Sequence, residues 1–200
     1  MLIQSVIILV FLTLNFVKPF ISVAKKVETK CNYLGFFDST FLKGGMDEII
    51  KNKLYLGNMF DANDTDTIKN NTISCIVCVA ERLKIINTNP NVTVHKYELA
   101  DDYSCNISLY FDEIGEIINK GGIVLVNCAA GISRSSTIVI AYIMKYYKLN
   151  LKTTFLYVKK KRNQICPNKK FMECLLDYEL ALFGKNSLSY DECIKLFYYT

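Results

Sequence analysis

"VLVNCAAGISRSS", residues Val124 to Ser136, decides how this chain is read. With Ile123 in front, "IVLVN" is a short continuous apolar run of the kind found in strands covered on both faces. From Arg134 onward, "RSSTIVIAYIMKYY" keeps an apolar face over too many residues for a strand and reads as a helix. A loop leading from a buried strand into a helix lies at the carboxyl edge of a sheet, where open α/β folds bind ligands. The helix start there offers unpaired N–H groups and the positive end of its dipole, so an anion is stabilised. Cys128 begins the loop, and a thiol in such a field loses its proton more readily than a free one. Gly131 lets the loop curl its amides inward, and Ala129 and Ala130 add no bulk. Arg134 supplies a planar fork of donors matched to two oxygens of a phosphate. A thiolate, a cradle of amides and a guanidinium together suit attack on a phosphorus atom.

Working outward, "NKLYLGN" (Asn52 to Asn58) predicts a strand ending at a glycine turn, and "DANDTDTIKN" a polar loop running into a short helix. "TISCIVCVA" (Thr72 to Ala80) predicts a central strand and "NVTVHKYEL" (Asn91 to Leu99) a further one. Ile107, Tyr110, Phe111, Ile114, Ile117 and Ile118 fall at helical spacing, and Gly121 and Gly122 stop that helix. Two more helices follow, Thr153 to Arg162 and Asn168 to Phe183, with Pro167 read as a first-turn proline of the second. Ser189 and Glu192 are spaced as a capping box opening a last segment whose apolar residues dock on the domain. Strands alternating with helices predict a single α/β domain with a central, mostly parallel sheet flanked by helices. The phosphate-binding loop then joins a buried strand to a helix.

The chain has 200 residues, 51% of them hydrophobic and 22% charged, enough for one domain with extensions. A net charge of +5 favours anionic partners, but the lysines are dispersed and no aromatics alternate with them, so no nucleic-acid footprint is expected. "KKKR" (Lys159 to Arg162) reads as a solvated helix end. Leu2 to Val17 is nearly all apolar, and Ser22, Val23 and Ala24 resemble a cleavage site. Residues 1–24 therefore read as a signal peptide or signal anchor, implying the secretory pathway or membrane association, with the cytoplasm as the alternative. Residues 25–45 read as a linker and 185–200 as a C-terminal segment. The eight cysteines form no disulfide framework by spacing. Cys75 and Cys78 make a lone CxxC inside an apolar strand, with no second CxxC and no histidine cluster, so no metal site is expected.

"VNCAAGISRSS" resembles the signature loop of cysteine-dependent protein phosphatases, specifically the dual-specificity (atypical) group, whose pattern is His-Cys-x5-Arg with "AGxSRS". "DEIIKNKLYLGNMFDA" is similar to the family's first strand region and "CPNKKFMECLLDYE" to its last helix, so the resemblance covers residues 46–184. It implies that Cys128 attacks the phosphate and forms a cysteinyl-phosphate. The amides of Ala129, Ala130, Gly131, Ile132, Ser133 and Arg134, with the Arg134 side chain, would hold the equatorial oxygens, and Ser135 would help the thiolate leave. The resemblance implies no metal or cofactor. It implies phosphorylated protein substrates, with phosphotyrosine and phosphoserine/threonine favoured because lysines suited to inositol phosphates are absent at Ala129, Ala130 and Ile132.

The family's general acid is an aspartate in the loop before the helix that precedes the signature. In "LADDYSCNIS" (Leu99 to Ser108) the spacing favours Asp101, with Asp102 the near alternative; the competing reading makes them solvated turn residues. Asn127 departs from the pattern, since the family usually carries histidine there. Asparagine can donate and accept hydrogen bonds but cannot become cationic, which predicts lower turnover near pH 6. It also leaves an alternative, a pseudophosphatase binding phosphoproteins with weak or no turnover. A third reading, a Cys-His hydrolase pairing Cys128 with the lone His95, leaves Arg134 and Gly131 unexplained.

Overall fold

The computed structural model describes residues 45–86 and 89–199. The signal segment read at 1–24, and all but the last residue of the 25–45 linker, lie outside them. Five strands, β1 (Asp47–Ile50), β2 (Leu54–Gly57), β3 (Cys75–Val79), β4 (Thr93–Tyr97) and β5 (Val124–Asn127), form one sheet in the order β1-β2-β5-β3-β4. Only the β1–β2 pair is antiparallel; the other pairs are parallel. The single α/β domain with a mostly parallel sheet is therefore as read.

The strand predicted at Asn52 to Asn58 forms as β2 and is the second arm of a hairpin with β1. Asn52, at φ +52°, turns the chain between Ile50 and Lys53, and the Lys53 amide donates to the Ile50 carbonyl at 3.0 Å. Asparagine tolerates this left-handed conformation because its short polar side chain can bond locally. The short helix expected within "DANDTDTIKN" forms as α2 (Thr65–Asn70), but the chain ahead of it, read as a loop, opens in a further short helix, α1 (Met59–Asn63). Asn58 and Asp61 form a reciprocal capping box, and Asp64 accepts from the Asp66 and Thr67 amides. Such side chains satisfy the first-turn donors that polar composition alone would leave to water.

A 3-10 turn (Ile107–Tyr110) leads into α3 (Phe111–Lys120). Then come α4 (Arg134–Tyr147), α5 (Leu151–Lys161), α6 (Lys169–Phe183) and α7 (Tyr190–Tyr199). Pro167 is not in the first turn of α6: it stands ahead of Asn168, which caps the helix by accepting from the Phe171 amide at 2.9 Å.

β5 is buried along its whole length. Leu54, Leu56, Val77, Val79, Val124 and Val126 belong to one core with residues of α3 to α7, while Ile76 and Leu125 join Ala62 and Ile68 beneath α1 and α2. α4 is buried from Arg134 to Met144 and forms the axis of the larger layer. α7 docks as expected. Its Ser189–Glu192 box is formed, Phe197 stacks on Phe155 at 3.8 Å between ring centroids, and the Tyr198 hydroxyl donates to the Pro167 carbonyl at 2.8 Å. Fully burying a phenylalanine contributes about 1.5–3 kcal/mol, so α7 is an integral layer. No helix among the described residues is long and apolar enough to cross a membrane.

Candidate active site

The chain leaves β5 at Asn127 and enters α4 at Arg134, so residues 128–133 lie at the carboxyl edge of the sheet. Cys128 is 1% exposed. Its sulfur accepts from the Gly131 amide at 3.3 Å and from the Ser135 hydroxyl at 3.2 Å. Gly131 has φ +69°, and a Cβ there would come within 2.5 Å of the Gly57 carbonyl oxygen. Only glycine meets both demands. Ser133 occupies the N-cap position of α4, yet its side chain makes no cap bond. Its hydroxyl donates to Asp101 instead, leaving the first-turn amides of α4 free of a side-chain cap and suited to an anion.

Arg134 reaches back under the loop that follows β4. Its Nη1 donates to the Leu99 carbonyl at 2.8 Å, and its Nε lies 3.3 Å from Asp101 Oδ2 as an ion pair without hydrogen-bond alignment. Asp101 Oδ1 accepts from Ser133 Oγ at 2.7 Å and from Asn168 Nδ2 at 2.8 Å. Asp102 points elsewhere. It accepts from the Ser104 hydroxyl and amide at 2.6 and 2.8 Å, and these bonds hold its carboxyl below the usual carboxylate range. Of the two sequence candidates, Asp101 faces the loop and Asp102 caps a turn.

Asn127 sits in register with Gly57 on one side and Cys78 on the other. Its amide nitrogen is 3.5 Å from the Cys128 carbonyl and 3.9 Å from the Cys78 sulfur, while its oxygen is buried without a hydrogen-bond partner. Burial pushes the Cys78 thiol up, in keeping with a core role. His95 is in register with Val77, which in turn faces Val126. Two strand spacings, about 10 Å, separate it from β5, so the structure does not bring the Cys-His pair together. Among the described residues no cluster could hold a metal ion.

The sequence reading missed the braces under the loop. Arg162 is not a solvated helix end: it is 3% exposed, its Nε donates to the Gly131 carbonyl at 2.9 Å, and its Nη1 pairs with Asp47 at 2.7 Å. The "KKKR" run holds three lysines and one arginine, and the planar fork is what the buried position requires. The Cys166 amide donates to the Ile132 carbonyl at 2.9 Å, and the Asn168 amide to Ser133 Oγ at 3.2 Å. On the opposite side the Met59 amide donates to the Ala129 carbonyl at 3.2 Å.

A buried thiol facing two donors, uncapped amides at a helix start, a guanidinium, and a carboxyl brought in from the loop after β4 make an arrangement suited to phosphate-monoester chemistry. The comparisons agree. Residues 54–181 match the family model described as dual specificity phosphatase, catalytic domain. Mouse dual specificity protein phosphatase 14 is 39% identical over 150 residues, covering 72% of this chain and 74% of the relative. The crystal structure of DUSP15 superimposes with a TM-score of 0.64 at 33% identity, over 68% of this chain and 88% of that one. That of human tyrosine phosphatase-like serine/threonine/tyrosine-interacting protein gives 0.62 at 30%, over 68% and 97%. The chain belongs to the dual specificity phosphatase family, as an atypical member of the protein tyrosine phosphatase superfamily. It is a protein phosphatase, and its substrates are phosphorylated proteins.

Proposed function

We propose that this phosphatase hydrolyses phosphotyrosine and phosphoserine/threonine through a cysteinyl-phosphate on Cys128. The observation that carries the reading is the bonded unit of nucleophile loop and acid: Ser133 on the loop donates to Asp101, whose second oxygen faces Arg134. In the first step the Cys128 sulfur forms a bond to phosphorus as the bond to the substrate oxygen breaks. The leaving oxygen takes the electron pair and a proton from Asp101. Arg134 and the amides of residues 129–134 carry the charge spread over the equatorial oxygens. In the second step Asp101 accepts a proton from water, whose oxygen bonds to phosphorus as the sulfur departs. Ser135, already 3.2 Å from that sulfur, donates to the released thiolate. Inorganic phosphate leaves.

Asp101→Asn keeps the shape and removes the proton. Its kcat toward phenyl phosphate is expected to fall by about 10²–10⁴ with KM little changed, the contribution of a positioned general acid. An unchanged kcat would remove Asp101 from the mechanism.

Asn127 favours a second reading, weak or absent turnover in a phosphoprotein binder, because its buried oxygen is unpaired and its side chain brings no charge to the thiolate. Retention of Cys128, Arg134, Asp101 and Ser135 supports turnover over binding alone. Asn127→His is expected to raise kcat/KM at pH 6 more than at pH 8, since imidazole is cationic only at the lower value. Parallel pH–rate profiles for the two proteins would show that position 127 does not tune the reaction.

A further inference from the structure

The connection between α5 and α6, residues 162–168, touches three successive loop residues. Arg162 bonds the carbonyl of Gly131, Cys166 the carbonyl of Ile132, and Asn168 the hydroxyl of Ser133. Asn168 goes one step further, because its side-chain amide nitrogen also donates to Asp101 Oδ1 at 2.8 Å. The orientation of that amide is fixed from both ends. Its oxygen accepts from the Phe171 amide at 2.9 Å, as the N-cap of α6, so its NH2 group must face the carboxyl.

Asp101 Oδ1 thus accepts two hydrogen bonds, from Asn168 and from Ser133, and the Asn168 main-chain amide donates to that same Ser133 hydroxyl. An oxygen that accepts twice is not the one that carries an acid proton. The proton of the carboxylic acid is left to Oδ2, which lies 3.3 Å from Arg134 Nε, a guanidinium nitrogen without a hydrogen-bond partner. Proton transfer depends on placing the donor within about 3 Å of the accepting atom. The side chain that selects the oxygen therefore governs the step without touching the substrate.

We propose that Asn168 is the positioning residue of the general acid, holding Asp101 by Oδ1 so that Oδ2 delivers the proton to the leaving oxygen. The inference rests on the assignment of Asp101 as the acid. It predicts that α6 sets the acid through its own cap residue, so cap and catalysis can be separated by substitution. Serine and aspartate both cap helices well. Asn168→Ser keeps a cap oxygen and removes the donor to Asp101; Asn168→Asp keeps the cap and turns a second carboxylate toward Asp101.

The test compares kcat/KM for para-nitrophenyl phosphate, whose leaving group needs little help, with that for phenyl phosphate, whose leaving group needs a proton. In Asn168→Ser the phenyl ester is expected to lose about tenfold more activity than the nitrophenyl ester, a part of the ~10²–10⁴ that general acids supply. Asn168→Asp is expected to lose more, again mainly on the phenyl ester. Thermal unfolding of each variant, measured alongside, reports the cap. Equal losses on the two esters would reduce Asn168 to a structural cap and overturn the proposal. Asp101→Asn in the same assay keeps the two failures apart. If it shows the ester-dependent loss and both Asn168 variants do not, the positioning role fails alone; if it too loses both esters equally, the acid assignment fails with it.

Discussion

Cys128→Ser is expected to lower kcat for aryl phosphates by roughly 10³-fold or more, as removal of a covalent nucleophile does elsewhere. The substitution exchanges one atom in a site that is 1% exposed, so packing changes little. The Gly131 amide and Ser135 hydroxyl that now point at sulfur find an oxygen acceptor in its place. The hydroxyl is a poor nucleophile without an adjacent base, and the lone histidine lies two strands away. Binding depends on the amides and on Arg134, which remain. The variant should therefore retain a phosphotyrosine peptide that the wild type releases dephosphorylated, measured as peptide affinity against single-turnover hydrolysis. Hydrolysis within tenfold of wild type would show that Cys128 is not the attacking group.

Arg134→Lys is the second large effect, with an expected loss of about 10²–10³ in kcat, the scale for deleting one donor to a developing oxyanion. Charge is conserved, so the loss isolates geometry. A guanidinium grips two phosphate oxygens with a planar fork, whereas an ammonium is a point charge on a flexible stem. The arginine also reaches the Leu99 carbonyl through Nη1 and sits beside Asp101 through Nε, so it couples the acid's loop to the phosphate loop. A lysine cannot serve both partners and the substrate. Steady-state kinetics on phenyl phosphate should show kcat falling and KM rising together. A variant within tenfold of wild type in both would mean that charge alone suffices.

The strand, loop and helix around Cys128 were legible because each announces itself locally: a continuous apolar run, small residues, then helical spacing. Asp101 and Asp102 were singled out through the family resemblance, and the structure adds what distinguishes them, namely that the Asp101 carboxyl meets Ser133 and the Asp102 carboxyl meets Ser104. Strand β1 was hidden because "DEII" offers only two apolar residues, and its pairing depends on the turn at Asn52. α1 was hidden by composition, since Asn58 and Asp61, residue types that suggest a loop, are the ones that cap it. Arg162 and Asn168 were hidden for a different reason. Each acts across more than thirty residues, Arg162 on Gly131 and Asn168 on Asp101, and no local pattern records which end of a lysine-rich helix turns inward.

In the proposed reaction the phosphoryl group passes through the sulfur of Cys128. Wild-type protein mixed with para-nitrophenyl phosphate, quenched in alkali within one turnover and digested at alkaline pH, where a sulfur–phosphorus bond persists, tests this directly by mass spectrometry. A phosphoryl group is expected on the peptide carrying Cys128 and none on that peptide in Cys128→Ser. Turnover of the wild type with no phosphorylated Cys128 peptide at any quench time would contradict it.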